Sequence, residues 1–254
     1  MVTDQQLRGI SLRSKIISEI LTNEAINVED VKELCAKISD SSFCCFDTET
    51  SGINPITAKL VGISFSIKEH EAFYIPITAD EEKNREILSL VKNVLEDETI
   101  LKIGQNIKYD ILVLSNYGID VKGEMFDTMI AHYLLQPELH HGMDYLAEIY
   151  LKYKTIHIEE LIGERGKHQG NMANLFPEQV YEYACEDADV TLKLKNILQE
   201  ELKKEGIEDL FYKIEMPLVP VLAYMERNGA RIDTAALKET SVLFSKRLAD
   251  IEEE

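Results

Sequence analysis

Two acidic residues, one position apart, stand at the end of an apolar run. Phe43 to Phe46 are four consecutive apolar residues that predict a buried strand, and Asp47 and Glu49 follow them. Since alternate residues of a strand point to the same side, both carboxylates should project from one face. At about 4 Å and an effective dielectric of 20, two such charges repel by roughly 4 kcal/mol. We therefore expect a hard divalent cation with oxygen ligands between them.

Two later segments each pair an acid with a polar residue four positions earlier. Asn106 precedes Asp110 and Tyr183 precedes Asp187 at this spacing, which places each pair on one face of a helix. Asp187 also lies beside an apolar stripe, where an acid is unusual unless it is paired or bound to a cation. Four converging carboxylates predict a site for two cations about 3.5–4 Å apart, which can hold the attacking and leaving oxygens of an in-line phosphoryl displacement.

Tyr183 is predicted to orient the attacking water through its hydroxyl. An unperturbed phenol has a pKa of about 10 and therefore cannot act as a base near pH 7. The acids Glu186 and Asp189 point to other sides of the same helix, and we predict that both are solvated. The expected reaction is hydrolysis of a phosphodiester.

The composition is that of an ordinary globular protein with a strongly acidic balance. The 254 residues are 45% hydrophobic and 29% charged, with a formal net charge of −19. This charge argues against a strong nucleic-acid binder with a basic footprint, but it fits a site where carboxylate-bound cations hold a phosphate locally. No apolar run is long enough to cross a bilayer, and the four cysteines form no CxxC pair. We predict buried reduced thiols, no cysteine zinc site, no membrane partner and a cytoplasmic location.

The elements around these residues predict an α/β fold. Alternating apolar residues over 61–67 and an apolar run over 72–77 follow the first strand closely, which predicts an antiparallel meander of three strands. Further strands are predicted over 100–103 and 120–125, and helices over 28–38, 81–95, 105–115, 128–135, 143–151 and 177–204. This order implies a mixed β-sheet flanked by helices.

Two smaller features lie between these elements. Asp127 precedes the helix over 128–135 and is predicted to be its N-cap rather than a metal ligand. The segment 163–170 holds Arg165, Lys167 and His168 among three glycines. We predict a mobile surface loop there rather than a phosphate cradle.

Three motifs in this chain resemble those of the DEDD exonuclease superfamily. They are Phe46-Asp47-Thr48-Glu49-Thr50, then Gly104-Gln105-Asn106 through Tyr109-Asp110, and Tyr183 through Asp187 to Val190-Thr191. The tyrosine four residues before the last acid matches the DEDDy branch, and the combination looks like the proofreading domain of bacterial DNA polymerase I. Phe126-Asp127-Thr128-Met129 is also similar to that family, and the segment 214–229 resembles the entry into its polymerase domain. The resemblance covers about residue 27 to the end.

The resemblance implies a ribonuclease H-like fold and 3′→5′ excision of nucleoside monophosphates from a single-stranded DNA 3′ end or a frayed primer terminus. It also implies two divalent metal ions, Mg²⁺ or Mn²⁺, with Zn²⁺ as an alternative at the first site. Asp47 would bridge both ions, and Glu49 and Asp187 would complete the first site. Asp110 would serve the second site, partly through water, and Tyr183 would position the attacking water.

A set of substrate contacts follows from the same resemblance. Gln105, Asn106 and Tyr109 would contact the terminal sugar-phosphate. Ile53 would wedge against the last base, and Thr48 would also contact the substrate.

Two positions depart from the pattern of the family's best-known member. Ile158 stands where that protein has a phenylalanine that stacks on a base, and His140 stands where it has an arginine that contacts the strand. Both changes should weaken the grip on single-stranded DNA, so we expect the isolated chain to bind it weakly.

The resemblance also implies three segments along the chain. Residues 1–26 would be an N-terminal linker, 27–206 the 3′→5′ exonuclease domain, and 207–254 the helical first part of a polymerase domain. The polymerase domain of the same full-length chain would then be a partner of the nuclease.

Three other functions fit parts of the pattern. A catalytically silent module that binds DNA or braces the polymerase is favoured by the acidic charge, and opposed by the complete set of acids. A ribonuclease resembling RNase D shares the superfamily motifs, but the polymerase-entry segment argues against it. A haloacid dehalogenase-type phosphatase would also place an acidic motif after an apolar strand, although its second acid is normally aspartate and position 49 holds glutamate.

Overall fold

A six-stranded mixed β-sheet organises the chain. The computed structural model describes residues 17–20, 28–166 and 168–253. The strands are β1 (Ile17–Ile20), β2 (Phe43–Thr50), β3 (Leu60–Lys68), β4 (Glu71–Pro76), β5 (Leu101–Gly104) and β6 (Met125–Asp127). The α-helices are α1 (Val28–Ser41), α2 (Glu81–Leu95), α3 (Ile107–Ser115), α4 (Thr128–Leu135), α5 (Met143–Leu146), α6 (Ile158–Ile162), α7 (Pro177–Glu205), α8 (Glu208–Leu210), α9 (Met216–Asn228) and α10 (Thr234–Glu253). Short π-helical segments cover Ala147–Leu151 and Phe211–Glu215, and a 3₁₀ turn covers Met172–Asn174. The prediction of a mixed sheet flanked by helices is confirmed.

The strand order is β1-β4-β3-β2-β5-β6, with β2 at the centre of the sheet. Strands β2, β3 and β4 are antiparallel neighbours, which confirms the predicted meander. On its other side β2 pairs in parallel with β5, and β5 pairs in parallel with β6. The carboxyl ends of β2 and β5 therefore meet at one edge of the sheet, where polar side chains that follow the two strands can converge.

Local sequence signals explain where the principal helices begin and end. Helix α2 starts after Asp80, whose side chain accepts hydrogen bonds from the backbone N–H groups of its first turn. Helix α7 has Pro177 at its first position and ends at Gly206, which adopts a left-handed φ of 69°. It packs on β2, β3, β4 and β5 and covers one face of the sheet.

The N-terminal segment contains one described element. Strand β1 pairs in parallel with β4, so part of the predicted linker belongs to the sheet. The sequence over 10–21 is weakly amphipathic, and most of this stretch falls outside the described residues. Asn27 has a residue type and position that predict an N-cap for α1, and it also lies outside them.

The predicted strand over 120–125 is wrong. Strand β6 covers Met125–Asp127 instead, although Val121 within the predicted range is buried. Gly123 has a φ of 87°, and a Cβ atom there would lie 2.9 Å from the carbonyl oxygen of Glu98. The backbone therefore turns at Gly123 and cannot extend the ladder with β5 toward its N-terminal side.

The chain divides into two compact units, one ending at Ala223 and one beginning at Tyr224. Phe211 is fully buried in the first unit and packs against Phe126, with the ring centroids 4.8 Å apart and the rings tilted. Hydrophobic burial in this unit thus continues past residue 206, where we predicted a domain boundary. The assignment of 207–254 to a polymerase domain stays a prediction. Among the described residues, no helix combines the length and apolar character needed to span a membrane.

Candidate active site

A cleft of about 550 Å³ opens at the edge of the sheet where β2 and β5 end. Its lining includes every predicted site residue except His140, namely Asp47, Thr48, Glu49, Ile53, Gln105, Asn106, Tyr109, Asp110, Ile158, Tyr183 and Asp187. These residues come from four separated parts of the sequence, so the fold has brought the predicted motifs together.

Three carboxylates in the cleft form one cluster. One oxygen atom from each of Asp47, Glu49 and Asp187 lies within 4.8 Å of the other two. The first two residues alternate on β2, as predicted, and the third projects from α7 onto the same face. Glu49 Oε1 and Asp187 Oδ1 are buried and have no hydrogen-bond partner. Buried carboxylate oxygens without donors are suited to bind a divalent cation, so the donor set fits the predicted metal.

The electrostatics of the cluster point the same way. Burial raises the pKa of Asp47 to about 6. Burial and the charges of Asp47 and Asp110 raise the pKa of Glu49 well above its usual range. Burial and the charges of Asp47 and Glu49 do the same to the pKa of Asp187. A cation among these groups would favour their ionised forms and reverse each shift.

Asp110 lies in the cleft but outside the three-carboxylate cluster. Its Oδ1 accepts a hydrogen bond from the backbone N–H of Thr48 at 3.1 Å and another from the Thr48 hydroxyl. Burial and the charge of Asp47 raise its pKa, and the two contacts with Thr48 oppose that rise. Thr48, predicted as a substrate contact, therefore orients this acid through two of its polar groups.

Tyr183 is hydrogen-bonded to Asp187, the acid that shares its helix face. Its hydroxyl forms a side-chain hydrogen bond with Asp187, one turn along α7. Burial raises the pKa of Tyr183 first, and the charges of Asp187, Glu49 and Asp47 raise it further. The phenol therefore stays protonated near neutral pH, which fits a group that orients water and does not abstract a proton.

One wall of the cleft is the loop that follows β2. The hydroxyl of Tyr109 donates to the carbonyl oxygen of Gly52 at 2.6 Å and lies 2.5 Å from Thr50 Oγ1. These contacts fix the base of the loop that carries Ile53, whose side chain is 94% exposed. An exposed isoleucine held on a fixed loop suits the predicted wedge against a base.

The N-terminus of α3 presents a strained residue to the cleft. Asn106 adopts a left-handed conformation with a φ of 58°, and its side chain makes no cap hydrogen bond. Asp127 supports it instead, accepting from the backbone N–H groups of Asn106 at 3.2 Å and Ile107 at 2.8 Å. Asp127 also caps α4, as predicted. Because the carboxylate of Asp127 does the capping, the amide of Asn106 is left for other contacts in the cleft.

Gln105 is held by two groups next to the cleft. Its Nε2 donates to the carbonyl oxygen of His141 at 2.7 Å, and its Oε1 accepts from the Thr128 hydroxyl. His140, one residue earlier, is exposed, and its ring centroid lies 5.8 Å from that of Tyr145. His140 therefore lies outside the cleft lining, and a role in strand contact stays a prediction.

The sequence interpretation missed the wall formed by the last residue of α6 and the segment that follows it. Its members that line the cleft are Ile162, Arg165, Gln169, Gly170, Asn171 and Met172. Asn171 Nδ2 donates to the carbonyl oxygen of Ser51 at 2.8 Å and joins this wall to the loop after β2. The described residues of this segment, 163–166 and 168–170, form a surface loop, as predicted, and the loop also borders the cleft. Its mobility stays a prediction. Among the described lining residues, Arg165 is the one with a cationic side chain. Its position among glycines was the only indication in the sequence that this segment could form part of the cleft.

The prediction that Glu186 and Asp189 are solvated is wrong. Glu186 is buried and accepts hydrogen bonds from the backbone N–H of Ile156 at 2.6 Å and from the Tyr153 hydroxyl. Asp189 is fully buried, accepts from the His70 N–H at 2.6 Å, and pairs with Lys193 of its own helix. Helix periodicity could not show this, because loops from distant parts of the sequence cover the sides of α7 that do not face the sheet.

The sequence matches a known family model over most of the described part of the chain. Residues 24–203 match the family described as 3′-5′ exonuclease. The chain is 39% identical over 229 residues to DNA polymerase I of Borreliella burgdorferi, an alignment that covers 89% of this chain and 25% of that protein. The chain thus spans about a quarter of the length of the curated relatives it matches.

Two solved structures illustrate the fold. The first is described as the POL domain of Pol1 from M. smegmatis in complex with DNA primer-template and dNTP. It is similar with a TM-score of 0.69 at 20% identity, covering 86% of this chain and 35% of that one. RNase D of Escherichia coli, an exoribonuclease involved in structured RNA processing, is similar with a TM-score of 0.64 at 19% identity, covering 82% of this chain and 51% of that one. These likenesses support the predicted ribonuclease H-like fold, and the family match and the identity to DNA polymerase I show that the chain belongs to the 3′–5′ exonuclease family.

Proposed function

We propose that this chain is a two-metal-ion 3′→5′ exonuclease that hydrolyses DNA phosphodiesters from the 3′ end and releases nucleoside monophosphates. The observation that carries the proposal is the cluster of Asp47, Glu49 and Asp187, whose ligand atoms lie within 4.8 Å of one another. Glu49 Oε1 and Asp187 Oδ1 are buried and have no hydrogen-bond donor, so no protein group compensates for the burial of these two oxygens. The energetic cost of this arrangement is removed when a cation binds.

We assign the acids of the cleft to two cation sites. Glu49 and Asp187 would hold the first ion together with Asp47, and Asp47 would also reach the second. Asp110 would serve the second ion partly through water, because Thr48 already occupies its Oδ1. Bound divalent ions supply a nucleophilic hydroxide at neutral pH and stabilise the charge on the leaving oxygen. Tyr183, which is protonated and hydrogen-bonded to Asp187, would orient the attacking water.

The walls of the cleft provide the contacts for one strand end. Gln105, Asn106 and Tyr109 would bind the terminal sugar-phosphate, and Ile53 would separate the last base from its neighbour. Thr48 and Ile158 also line the cleft and would contact the same end of the strand.

The whole-protein context is also part of the proposal. A single-stranded DNA 3′ end or a frayed primer terminus would be the substrate, and residues 207–254 would lead into a polymerase domain of the same chain. The alignment of this chain with about a quarter of the length of DNA polymerase I supports both statements.

The test is cleavage of a single-stranded DNA oligonucleotide labelled at its 5′ end, with Mg²⁺ or Mn²⁺ and with chelator. We expect a ladder that shortens from the 3′ end and disappears with chelator. Asp187→Ala should abolish cleavage, and Glu200→Ala should not, because Glu200 is an exposed acid on the same helix outside the cleft. No cleavage by the folded wild-type protein would favour a silent structural or DNA-binding module.

A matched RNA oligonucleotide separates the two nuclease alternatives. The fold is shared with an exoribonuclease, so the same assay must be run with RNA of identical sequence. Faster cleavage of DNA is the expected result. Faster cleavage of RNA would favour the ribonuclease and contradict the proofreading role.

A further inference from the structure

Two histidine rings meet where α4 packs against the loop that follows it. His132 on α4 is fully buried, and its Nδ1 lies 2.7 Å from Nδ1 of His141 in that loop. The ring centroids are 4.9 Å apart, and the ring planes are inclined at 62°. Two nitrogens at this distance form a hydrogen bond only when one carries the hydrogen and the other presents its lone pair. A single hydrogen therefore lies between the two imidazoles.

The surroundings of the pair favour its neutral form. Burial lowers the pKa of His132, and the charge of His141 lowers it further. The aromatic rings packed against the two imidazoles belong to Tyr133, Tyr145 and Tyr150, which are uncharged near pH 7. Among the described residues, no carboxylate forms a hydrogen bond or ion pair with either imidazole.

Two further titratable groups lie next to these tyrosines. The ring centroid of His140 is 5.8 Å from that of Tyr145. Burial raises the pKa of Tyr150, and the charge of Glu201 on α7 raises it further. Neither group contacts the imidazoles of the pair directly, so a charge on the pair would lack a bonded counter-charge.

The backbone of His141 carries a contact that reaches the cleft. Its carbonyl oxygen accepts a hydrogen bond from Gln105 Nε2 at 2.7 Å, and Gln105 Oε1 accepts from the hydroxyl of Thr128 at the start of α4. Both ends of the Gln105 amide are thus held, one of them by the residue that His132 anchors. An amide nitrogen has two hydrogens, so the second is available to a strand end in the cleft that Gln105 lines.

We propose that His132 is a positioning residue that anchors His141 through their shared hydrogen, so that the His141 carbonyl orients the Gln105 amide toward the terminal sugar-phosphate of the substrate. The inference rests on the proposed function, because it assigns Gln105 to the substrate. His132 itself does not line the cleft, and it acts through the loop after α4.

This arrangement is sensitive to acid. Only one hydrogen fits between the two Nδ1 atoms, so protonation of the pair places hydrogens on both Nε2 atoms and a charge in a buried site. Nε2 of His132 is buried and has no hydrogen-bond partner among the described residues. A buried charge and a buried donor without an acceptor are both unfavourable. We therefore expect the pair to separate on protonation and the Gln105 amide to lose its fixed orientation.

The test measures KM and kcat for a DNA oligonucleotide at pH 7.5 in wild type, His132→Phe, Gln105→Ala and the double variant, each at a temperature where it is folded. His132→Phe keeps an aromatic ring and removes the hydrogen bond. We expect KM to rise about 3–10-fold, the range for one hydrogen bond, with kcat nearly unchanged. In the Gln105→Ala background the same substitution should change KM by less than about 2-fold, because its effect passes through Gln105. Equal factors in both backgrounds would overturn the inference.

His132→Asn separates positioning from a general loss of packing. The asparagine amide nitrogen can take the place of Nδ1 as the donor, and it does not titrate. We expect KM within about 2-fold of wild type at pH 7.5 and a smaller rise of KM between pH 7.5 and pH 5.5, where histidines titrate. His70→Asn is the control, because His70 is an exposed histidine outside the cleft, and its pH dependence should equal that of wild type. A wild-type pH dependence of KM in His132→Asn would contradict the role of the shared hydrogen.

A measurement without catalysis keeps this inference separate from the proposed function. Fluorescence anisotropy of a labelled oligonucleotide in chelator gives the dissociation constant of each variant, which should change by the same factors as KM. A wild-type protein that binds DNA and cleaves none would overturn the proposed function, and the dissociation constants would still test His132. Wild-type DNA affinity in a folded His132→Phe protein overturns the inference. A wild-type protein that neither binds nor cleaves DNA overturns both.

Discussion

Replacing Asp187 by asparagine should make the metal-free protein more stable while it removes the nuclease activity. The substitution keeps the shape of the side chain and removes one of three charges in a buried cluster. At 4.8 Å, the upper limit for the distances within the cluster, and at an effective dielectric of 20, two unit charges repel by about 3.5 kcal/mol. Asp187 faces two such charges. The repulsion energy that the substitution removes is therefore larger than the contribution of a typical single interaction to the stability of a domain.

The gain in stability will be smaller than this Coulomb energy. The pKa values of Asp47, Glu49 and Asp187 are all raised, so the metal-free protein already takes up protons to relieve part of the repulsion. We expect a net gain of about 2 kcal/mol, which corresponds to a rise in melting temperature of roughly 4–8 °C for a domain of this size. The asparagine amide can also donate to the neighbouring carboxylates.

The dependence on pH gives the sign of the effect independently. Folding raises the pKa of such a carboxyl group. At pH values between its unfolded and folded pKa, the folded protein therefore binds more protons than the unfolded chain. Stability therefore falls as pH rises through this window, from about 4 upward. We expect wild type in chelator to lose melting temperature between pH 5 and pH 8, and Asp187→Asn to lose less. At pH 5 the two proteins should differ little.

Thermal unfolding in chelator at pH 5, 6, 7 and 8 is the assay, with Glu200→Gln as the control. Glu200 is an exposed acid of the same helix, so its neutralisation should change neither the melting temperature nor its pH slope appreciably. A melting temperature of Asp187→Asn that is equal to or below that of wild type at pH 8 would refute the reasoning. So would an unchanged slope, because the repulsion would then be absent from the folded protein.

Three other predictions concern the cleft. Asp47→Ala should abolish cleavage while circular dichroism shows an intact fold, because this half-buried acid of the cluster would reach both cations. Full activity in the variant would contradict the assignment of Asp47 to the site. Arg165→Gln should raise KM for an oligonucleotide several-fold and reduce the slope of log affinity against log salt by about 1, as expected for one lost phosphate contact; Arg85→Gln, an exposed arginine outside the cleft, should leave both unchanged. Mn²⁺ should raise the melting temperature of wild type more at pH 8 than at pH 5, since protons compete for carboxylates whose pKa values are raised; equal shifts at both pH values would contradict binding at this cluster.

Local sequence determined the elements that carry the chemistry. The apolar run before Asp47 and the alternation to Glu49 specify a strand with both acids on one face, since a strand has a period of two residues. The spacing of Tyr183 and Asp187 likewise specifies one helix face, and Asp127 before an apolar helix specifies a cap. These are short-range constraints, and the structure confirms each of them.

Only the tertiary structure decided what surrounds these elements. Glu186 and Asp189 are buried because the segment around Ile156 and the turn at His70 fold over α7, and no periodicity within the helix records those distant contacts. The cleft wall that carries Arg165 depends in the same way on a hydrogen bond between Asn171 and Ser51, 120 residues apart in the chain.

The relation between Tyr74, Gly62 and Glu49 shows the same limit most clearly. Each residue is unremarkable in its own strand, and the sequence shows only an apolar run, a glycine and an acid. The pairing register of three strands brings the tyrosine hydroxyl into the space that a side chain at Gly62 would take, and pairs that glycine with Glu49 on β2. Sequence spacing therefore determined which side chains share a face, whereas the register between strands decided which faces meet, because register depends on packing across the whole sheet.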